Sequence, residues 1–197
     1  MNAETASGFR RTVLVVALLN LAYFAIEFTV ARVIGSVSLF ADSVDFLEDA
    51  SVNALIFFAV AWSARSRARV GMALAIILLV PGLATLWTAF DKFLAPVPPQ
   101  PFALSLAGLG ALAVNMTCAL MLVAHRHRSG SLAKAAFLSA RNDALANIAI
   151  VIAGLVTGFL WRSAWPDLAI GLAIAAMNAD AAREVWAAAR KEHQARA

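Results

Sequence analysis

The chain of 197 residues is 62% hydrophobic and 14% charged, with a mean hydropathy of +0.78. A soluble domain is about 45–50% apolar and about 25% charged, so these values exclude an ordinary soluble protein and indicate an integral membrane protein. The net charge of +4 could suit a nucleic-acid-binding protein. The basic residues cluster in short loops, however, which favours membrane topology as the reason and argues against a nucleic-acid partner.

Six apolar segments are long enough to cross a bilayer, which takes about 20 helical residues. Gly35-Ser36 separates the first two segments, and the proline-rich run 96–101 separates the third from the fourth. The sequence therefore predicts an all-α, polytopic membrane protein with a single transmembrane domain over residues 1–197 and no separate C-terminal domain. The predicted helices lie near 12–32, 39–64, 70–90, 102–125, 133–161 and 166–188.

Positively charged residues are distributed unevenly between the two sets of loops. They are concentrated in the N-terminal segment, the second and fourth loops and the C-terminal tail, whereas the opposite connections contain only Arg32, Lys92 and Arg162. Because positive loops stay on the cytoplasmic side, both termini are predicted to be cytoplasmic. We expect a multi-pass protein of a bacterial-type inner membrane, whose N-terminal segment is a retained tail and not a signal peptide.

The second predicted helix carries acidic residues inside an apolar stretch. Asp42, Asp45 and Asp49 fall within about 60° of one another around a helix. A carboxylate inside a bilayer costs roughly 2.5–3.5 kcal/mol, so three on one stripe require a counter-charge, either protons or a metal cation. Asp42 is nearest the start of the helix and is interpreted either as a weaker ligand or as an exposed vestibule charge.

The fifth predicted helix offers a second set of oxygen ligands. Four of its polar residues share a face about 140° wide: Ser139, Asn142, Asp143 and Asn147. Carboxylate, hydroxyl and amide oxygens suit Mn²⁺, Mg²⁺ or Fe²⁺, and Zn²⁺ also accepts carboxylates. A structural ion pair between Asp143 and Arg141 is the alternative, whereas the second helix has no basic residue to pair with Asp45 and Asp49.

Other polar residues are interpreted as supporting groups. Four of them are candidates for proton relay or for a position behind the direct ligands: Glu27, Asn20, Glu48 and Asn147. For Glu27 a polar contact between helices is the alternative, and for Asn115 such a contact is the preferred interpretation. Cys118 is interpreted as packing in an apolar helix, and His125 and His127 as solvated loop residues.

The stretch Gly35-Ser-Val-Ser-Leu-Phe-Ala-Asp42-Ser-Val-Asp45-Phe-Leu-Glu-Asp49-Ala resembles the second-helix signature of the cation diffusion facilitators. The run from Asn142 to Ala153 resembles the fifth-helix signature of that family, and Trp165-Pro-Asp-Leu-Ala-Ile-Gly resembles the start of its sixth helix. Asp167 there is an acid favoured by the N-terminus of its own helix. Asn20 and Glu27 also fit the first-helix pattern. The resemblance covers nearly the whole chain.

The resemblance implies six transmembrane helices and proton-coupled export of divalent metal, hence a transporter and not an enzyme. It maps the central metal site of the family onto four residues: Asp45, Asp49, Asp143 and Ser139. Ser139 departs from the family pattern, which usually has His or Asp there, so one strong ligand is missing. Asn142, water or a backbone group could replace it.

The second expected departure concerns the family's usual cytoplasmic metal-binding domain, since the sequence after the sixth predicted helix is too short to form it. This predicts a short form without that domain's dimer contact and leaves a homodimer through the membrane helices open.

The leading hypothesis is an antiporter that exports divalent metal from the cytoplasm and takes protons in return, because metal and proton compete for the same carboxylate oxygens. Zn, Mn, Fe, Co and Cd all stay open as substrates. One alternative is a proton-coupled exporter of organic cations, which would favour an aromatic-lined cavity with one essential acid. The other is a transport-inactive membrane subunit, suggested by Ser139 and by the missing domain.

Overall fold

The structure is a computed structural model that describes residues 3–59, 66, 69, 83–123 and 130–194. Within these residues it contains six helices and no strand, which confirms the predicted all-α fold. The helices are α1 (Ala3–Ile34), α2 (Val37–Ala59), α3 (83–94), α4 (Pro101–Val123), α5 (Gly130–Leu155), which continues into a π-helical turn (Val156–Leu160), and α6 (Trp165–Gln194). The predicted helices near 39–64, 70–90 and 102–125 lie partly outside the described residues.

The chain reverses between α1 and α2 within two residues. Gly35 has a φ of +64°, a left-handed conformation that glycine adopts at little cost. The Ser36 N–H then donates to the Ala31 carbonyl at 3.0 Å, the bond of a Schellman C-cap. Ser36 Oγ accepts a hydrogen bond from the Leu39 N–H at 3.1 Å and so caps α2. Gly35-Ser36 therefore ends one helix and begins the next.

Helices α1 and α2 pack along one another, as do α4 and α5, while α2 also contacts α5 and α6. The α1–α2 turn, the end of α3 and the start of α6 meet at one end of the bundle, where Phe93 and Trp165 form an edge-to-face pair 5.9 Å apart. We call this the loop end. Helices α1 and α6 connect it to the opposite end, which holds the start of α1 and the end of α6 and which we call the terminal end.

The core has two apolar layers with polar side chains between them. The layer toward the terminal end joins α1, α2 and α4: Phe9, Val13, Val16, Ile56, Cys118, Ala119 and Leu122. The layer toward the loop end adds α5 and α6: Ala31, Leu39, Phe40, Ala41, Val44, Leu104, Ala107, Ile150 and Ile174. Between these layers the helices bury Asn20, Glu27, Asp42, Asn115 and Asn147. The bundle therefore encloses polar groups in the middle of its length.

Large apolar side chains cover much of the outer surface. Phe102 is 74% exposed, Val33 80% and Phe159 84%, values that suit a surface in contact with lipid. In the part of the chain that the structure describes, three helices are long and apolar enough to cross a membrane: Gly8–Ile34, Pro101–Val123 and Asn142–Leu160. The chain is a multi-pass membrane protein.

One carboxylate joins α6 to the start of α2 and to α3. Asp167 is fully buried and accepts hydrogen bonds from Ser36 Oγ at 2.6 Å, Ser38 Oγ at 2.6 Å, the Val37 N–H at 2.9 Å and the Ser38 N–H at 3.2 Å. Lys92 Nζ lies 3.8 Å from Asp167 Oδ2 and also donates to the Gly35 carbonyl. We call Ser36, Ser38, Lys92 and Asp167 the Asp167 latch. Asp167 thus caps α2, whereas the sequence suggested only that it stabilises the N-terminus of its own helix, α6.

Helix α6 approaches α2 closely at the same place. A Cβ added to Gly171 would lie 2.7 Å from Val37 Cγ1 and 2.8 Å from the backbone nitrogen of Ser38. Only glycine fits there without moving one helix. Val37, Ala89 and Leu168 form a small apolar cluster beside this contact, so α2, α3 and α6 are packed together at the loop end.

Candidate metal site

The acidic residues of α2 differ in burial according to their position along the helix. Asp42 is fully buried, whereas Asp45, Glu48 and Asp49 are each half-buried. Asp42 is nearest the loop end, and the other three follow toward the terminal end. The interpretation of Asp42 as an exposed vestibule charge is therefore wrong, because neighbouring helices cover it.

A hydrogen bond joins Asp42 to α5. Asn147 is fully buried, and its Nδ2 donates to Asp42 Oδ2 at 2.5 Å. Asp143 lies one helical turn before Asn147 and is half-buried, and Asn142 is exposed. Asp45 lies within electrostatic range of Asp143 of α5, as it does of Asp42, Glu48 and Asp49 on its own helix. The structure thus brings the polar faces of α2 and α5 together.

Asn115 extends this contact to α4. Its Nδ2 donates to Asn147 Oδ1 at 2.9 Å, and Asn115 is only 2% exposed. With its oxygen occupied by Asn115, the Asn147 amide presents its NH₂ group to Asp42. The sequence indicated a contact between helices for Asn115, but not that its partner is the residue that binds Asp42. Only the relative rotation of α4 and α5 decides that pairing.

Glu27 brings α1 to the same cluster. It is fully buried, and its carboxyl group is next to that of Asp42. Apart from this mutual contact, both Glu27 oxygens and Asp42 Oδ1 have no hydrogen-bond partner among the described residues. Buried carboxyl oxygens without donors are costly unless a proton or another cation accompanies them. Glu27, Asp42, Asn147 and Asn115 form a chain of polar groups across four helices, which we call the buried carboxyl cluster.

Asn20 lies in the same polar layer, on α1. It is fully buried, and its Oδ1 is 3.8 Å from Cys118 Sγ on α4. Its Nδ2 has no hydrogen-bond partner among the residues described. Asn20 therefore contacts α4, and the structure does not join it to Asp42 by a hydrogen bond. Cys118 is buried in the apolar layer toward the terminal end, which agrees with a packing role.

The four-residue ligand set stays a prediction. Among the side chains that the structure describes, no three of His, Cys, Asp and Glu are arranged to hold a metal ion. Asp45, Asp49 and Asp143 are described, but the side chain of Ser139 lies outside the described residues. So does the side chain of Arg141, the alternative ion-pair partner of Asp143. His125 and His127 also lie outside them.

Comparison with known proteins identifies a family. The family model for the cation efflux transmembrane domain matches residues 13–191 of this chain. The match includes all the residues of α2 and α5 named above. A search of curated proteins found no match.

Proposed function

Since the chain belongs to the cation efflux family, whose members transport divalent metal cations, we propose that it exports such an ion from the cytoplasm in exchange for protons. The observation that carries this proposal is the contact between α2 and α5. The Asn147–Asp42 hydrogen bond brings together the two helical faces that hold the candidate ligands. The chain is a multi-pass membrane protein, so the ion would move across the bilayer in which the helices lie.

We assign the metal to Asp45, Asp49, Asp143 and Ser139, and the three carboxylates among them would have to move into a tighter arrangement to hold it. Asp45, Asp49 and Asp143 are each half-buried, and charges attract one another more strongly where they are partly removed from water. Asn142 and Asp42 are weaker candidates. Asp42 Oδ2 already accepts a hydrogen bond from Asn147, which makes that oxygen a poorer ligand.

We assign proton exchange to the buried carboxyl cluster. Glu27 and Asp42 repel one another when both are charged, and a shared proton relieves that repulsion. Asp42 lies one turn from Asp45 on the same stripe, so a metal ion at Asp45 would add positive charge beside the pair. That charge favours loss of the proton, so metal binding promotes proton release and proton binding promotes metal release.

We place the terminal end in the cytoplasm. Lysine and arginine are enriched in the segments at that end, as the positive-inside rule requires of cytoplasmic loops. The half-buried acids of α2 also lie on the terminal side of Asp42. Metal would enter from the cytoplasm and leave at the loop end, in a bacterial-type inner membrane.

Transport by purified protein in liposomes tests this proposal. An imposed gradient of Zn²⁺, Mn²⁺, Fe²⁺, Co²⁺ or Cd²⁺ should drive opposite proton movement, which a pH-sensitive dye inside the liposomes records. Asp45→Ala and Asp49→Ala should each abolish that signal while the protein stays folded, because each removes a ligand from an otherwise apolar helix. Asp180→Ala is the matched control, since Asp180 is 75% exposed and far along α6. Undiminished transport by both ligand variants would contradict the assignment.

A further inference from the structure

At the loop end of the bundle, polar contacts from the start of α2 and from α3 converge on one side chain of α6. Asp167 of α6 accepts hydrogen bonds from two serine hydroxyls and two backbone N–H groups at the start of α2. Its countercharge, Lys92, comes from α3 and also binds the Gly35 carbonyl in the α1–α2 turn. A displacement of α6 away from α2 would break the four hydrogen bonds to Asp167 together. A displacement of α3 would break both contacts of Lys92.

The Asp167 latch lies between the acidic residues of α2 and the loop end. Ser38 precedes Asp42 by one helical turn, a rise of about 6 Å. Ser36, Ser38, Asp42 and Asp167 are all fully buried. Toward the terminal end, by contrast, Asp45 and Asp49 are half-buried. Along α2, the latch residues thus lie between the acids and the loop end.

We propose that the Asp167 latch is the gate of the loop end, which opens by separation of α6 and α3 from α2 to release the transported cation. This inference rests on the proposed transport function. The structure is then the state closed at the loop end. Opening exposes the Asp167 carboxylate and the Lys92 ammonium to water, which replaces the hydrogen bonds that the start of α2 supplies when closed.

Two features distinguish this latch from a passive helix cap. Helix α2 already has a cap in its own sequence, since Ser36 Oγ accepts from the Leu39 N–H. The bonds to Asp167 are additional and all run between different helices. The charge pair also needs α3, because Lys92 supplies a cation to Asp167 from a third helix. When helices move as rigid bodies, contacts within each helix persist, and contacts between helices are the ones that form and break.

A cross-link across the latch tests the gate directly. Val37 and Leu168 pack in one apolar cluster with Ala89, so Val37→Cys and Leu168→Cys, made in a Cys118→Ser chain, place two thiols between α2 and α6. The thiols are joined by oxidation or by a short bismaleimide, and loss of free thiol measures the joining. We expect the joined protein to transport at least about tenfold more slowly than the reduced protein, because a locked gate cannot reach its open state.

The controls separate this inference from the proposed function. Absence of metal transport by the wild-type protein would reject the proposed function itself. A double variant that transports equally well when reduced and when joined would overturn the gate, and the two single-cysteine variants should be insensitive to either reagent. Val37→Cys with Ala89→Cys gives the same test between α2 and α3, should the first pair not fold.

Lys92→Met provides a measurement without a cross-link. Loss of the countercharge weakens the closed state, so a smaller fraction of the protein is available to bind metal from the terminal end, and KM for metal should rise at least about threefold with little change in maximal rate. Asp180→Asn is the matched control, because Asp180 and Arg183 form an exposed ion pair with the same 3.8 Å separation. An unchanged KM in Lys92→Met would overturn the gate.

Discussion

At the scale of single residues, position along α2 decides what each carboxylate can do. Asp42 is fully buried beside Glu27 and accepts a hydrogen bond from Asn147, whereas Asp45 and Asp49 are half-buried and follow toward the terminal end. Their spacing in the sequence places all three on one stripe but does not order them by burial. The surrounding helices make Asp42 part of a proton-binding cluster in our proposal and leave the other two for metal.

Ser139 is the residue at which the predicted ligand set is weakest. A hydroxyl is a poor metal ligand, so the native site should hold metal through three carboxylates. Ser139→His puts an imidazole one turn before Asp143, and imidazole prefers Zn²⁺ to Mn²⁺. We expect Zn²⁺ affinity, measured by calorimetry, to rise about tenfold, or about 1.4 kcal/mol, with little change for Mn²⁺.

The control for this variant is Ala140→His, which moves the imidazole about 100° around the helix and should not improve Zn²⁺ binding. Equal gains in the two variants would show that the added histidine binds Zn²⁺ without the aspartates. No gain in Ser139→His would mean that Ser139 does not face α2.

At the scale of helices, amide side chains fix the rotation of α4 and α5 relative to α2. The chain Asn115–Asn147–Asp42 has two hydrogen bonds, of 2.9 and 2.5 Å, and each bond crosses between helices. Helices in lipid gain little from the hydrophobic effect when they associate, so such bonds and close packing decide their contacts.

A double-mutant cycle measures the coupling between the two amides. Asn115→Ala leaves the Asn147 oxygen without its donor, and Asn147→Ala removes the bonds to both neighbours. We expect each variant to lower the free energy of unfolding by about 1–3 kcal/mol, with a coupling of about 0.6 kcal/mol between them. Unfolding in mixed detergent micelles gives these values. Strict additivity would show that the Asn115–Asn147 bond does not stabilise the folded state.

Gly171 sets the distance between α2 and α6. Gly171→Ala would bring a Cβ to 2.7 Å from Val37 Cγ1 and 2.8 Å from the Ser38 nitrogen, so the helices have to move apart. We expect a loss of about 1–3 kcal/mol in the free energy of unfolding. Gly8→Ala is the control, because no atom lies within 4 Å of the added Cβ and no loss is expected there. Equal stability of the two variants would contradict the close approach.

At the scale of the whole molecule, two apolar layers enclose a polar middle, and polar contacts close the loop end. Glu27, Asp42 and Asn147 come from three helices and meet only when the bundle is assembled. The acidic side chains of Glu27 and Asp42 are thus buried in the bundle, away from water. We therefore expect metal binding at the half-buried aspartates to affect proton binding at this buried pair.

Metal affinity should depend steeply on pH. Carboxylates bind metal after they lose their protons, so protons compete with the metal and affinity should fall as pH is lowered from about 8 to about 5.5. A site that releases one proton per metal loses up to about tenfold in affinity per pH unit. Calorimetry at several pH values measures the slope, which Asp49→Asn should reduce. A flat profile would argue against carboxylate ligands.

The sequence by itself determined the all-α membrane fold and the acidic stripe, because apolar length and helical spacing are local properties. Its motifs resemble those of the family that the comparison identified. Residues three, four or seven apart share a face of a helix wherever the helix packs. Tertiary structure alone decided that Asp42 is buried, that Asn115 holds the amide bound to it, and that Asp167 caps α2 and pairs with Lys92. Those pairings join residues up to 131 positions apart. They depend on the rotation and separation of whole helices, which no local pattern encodes.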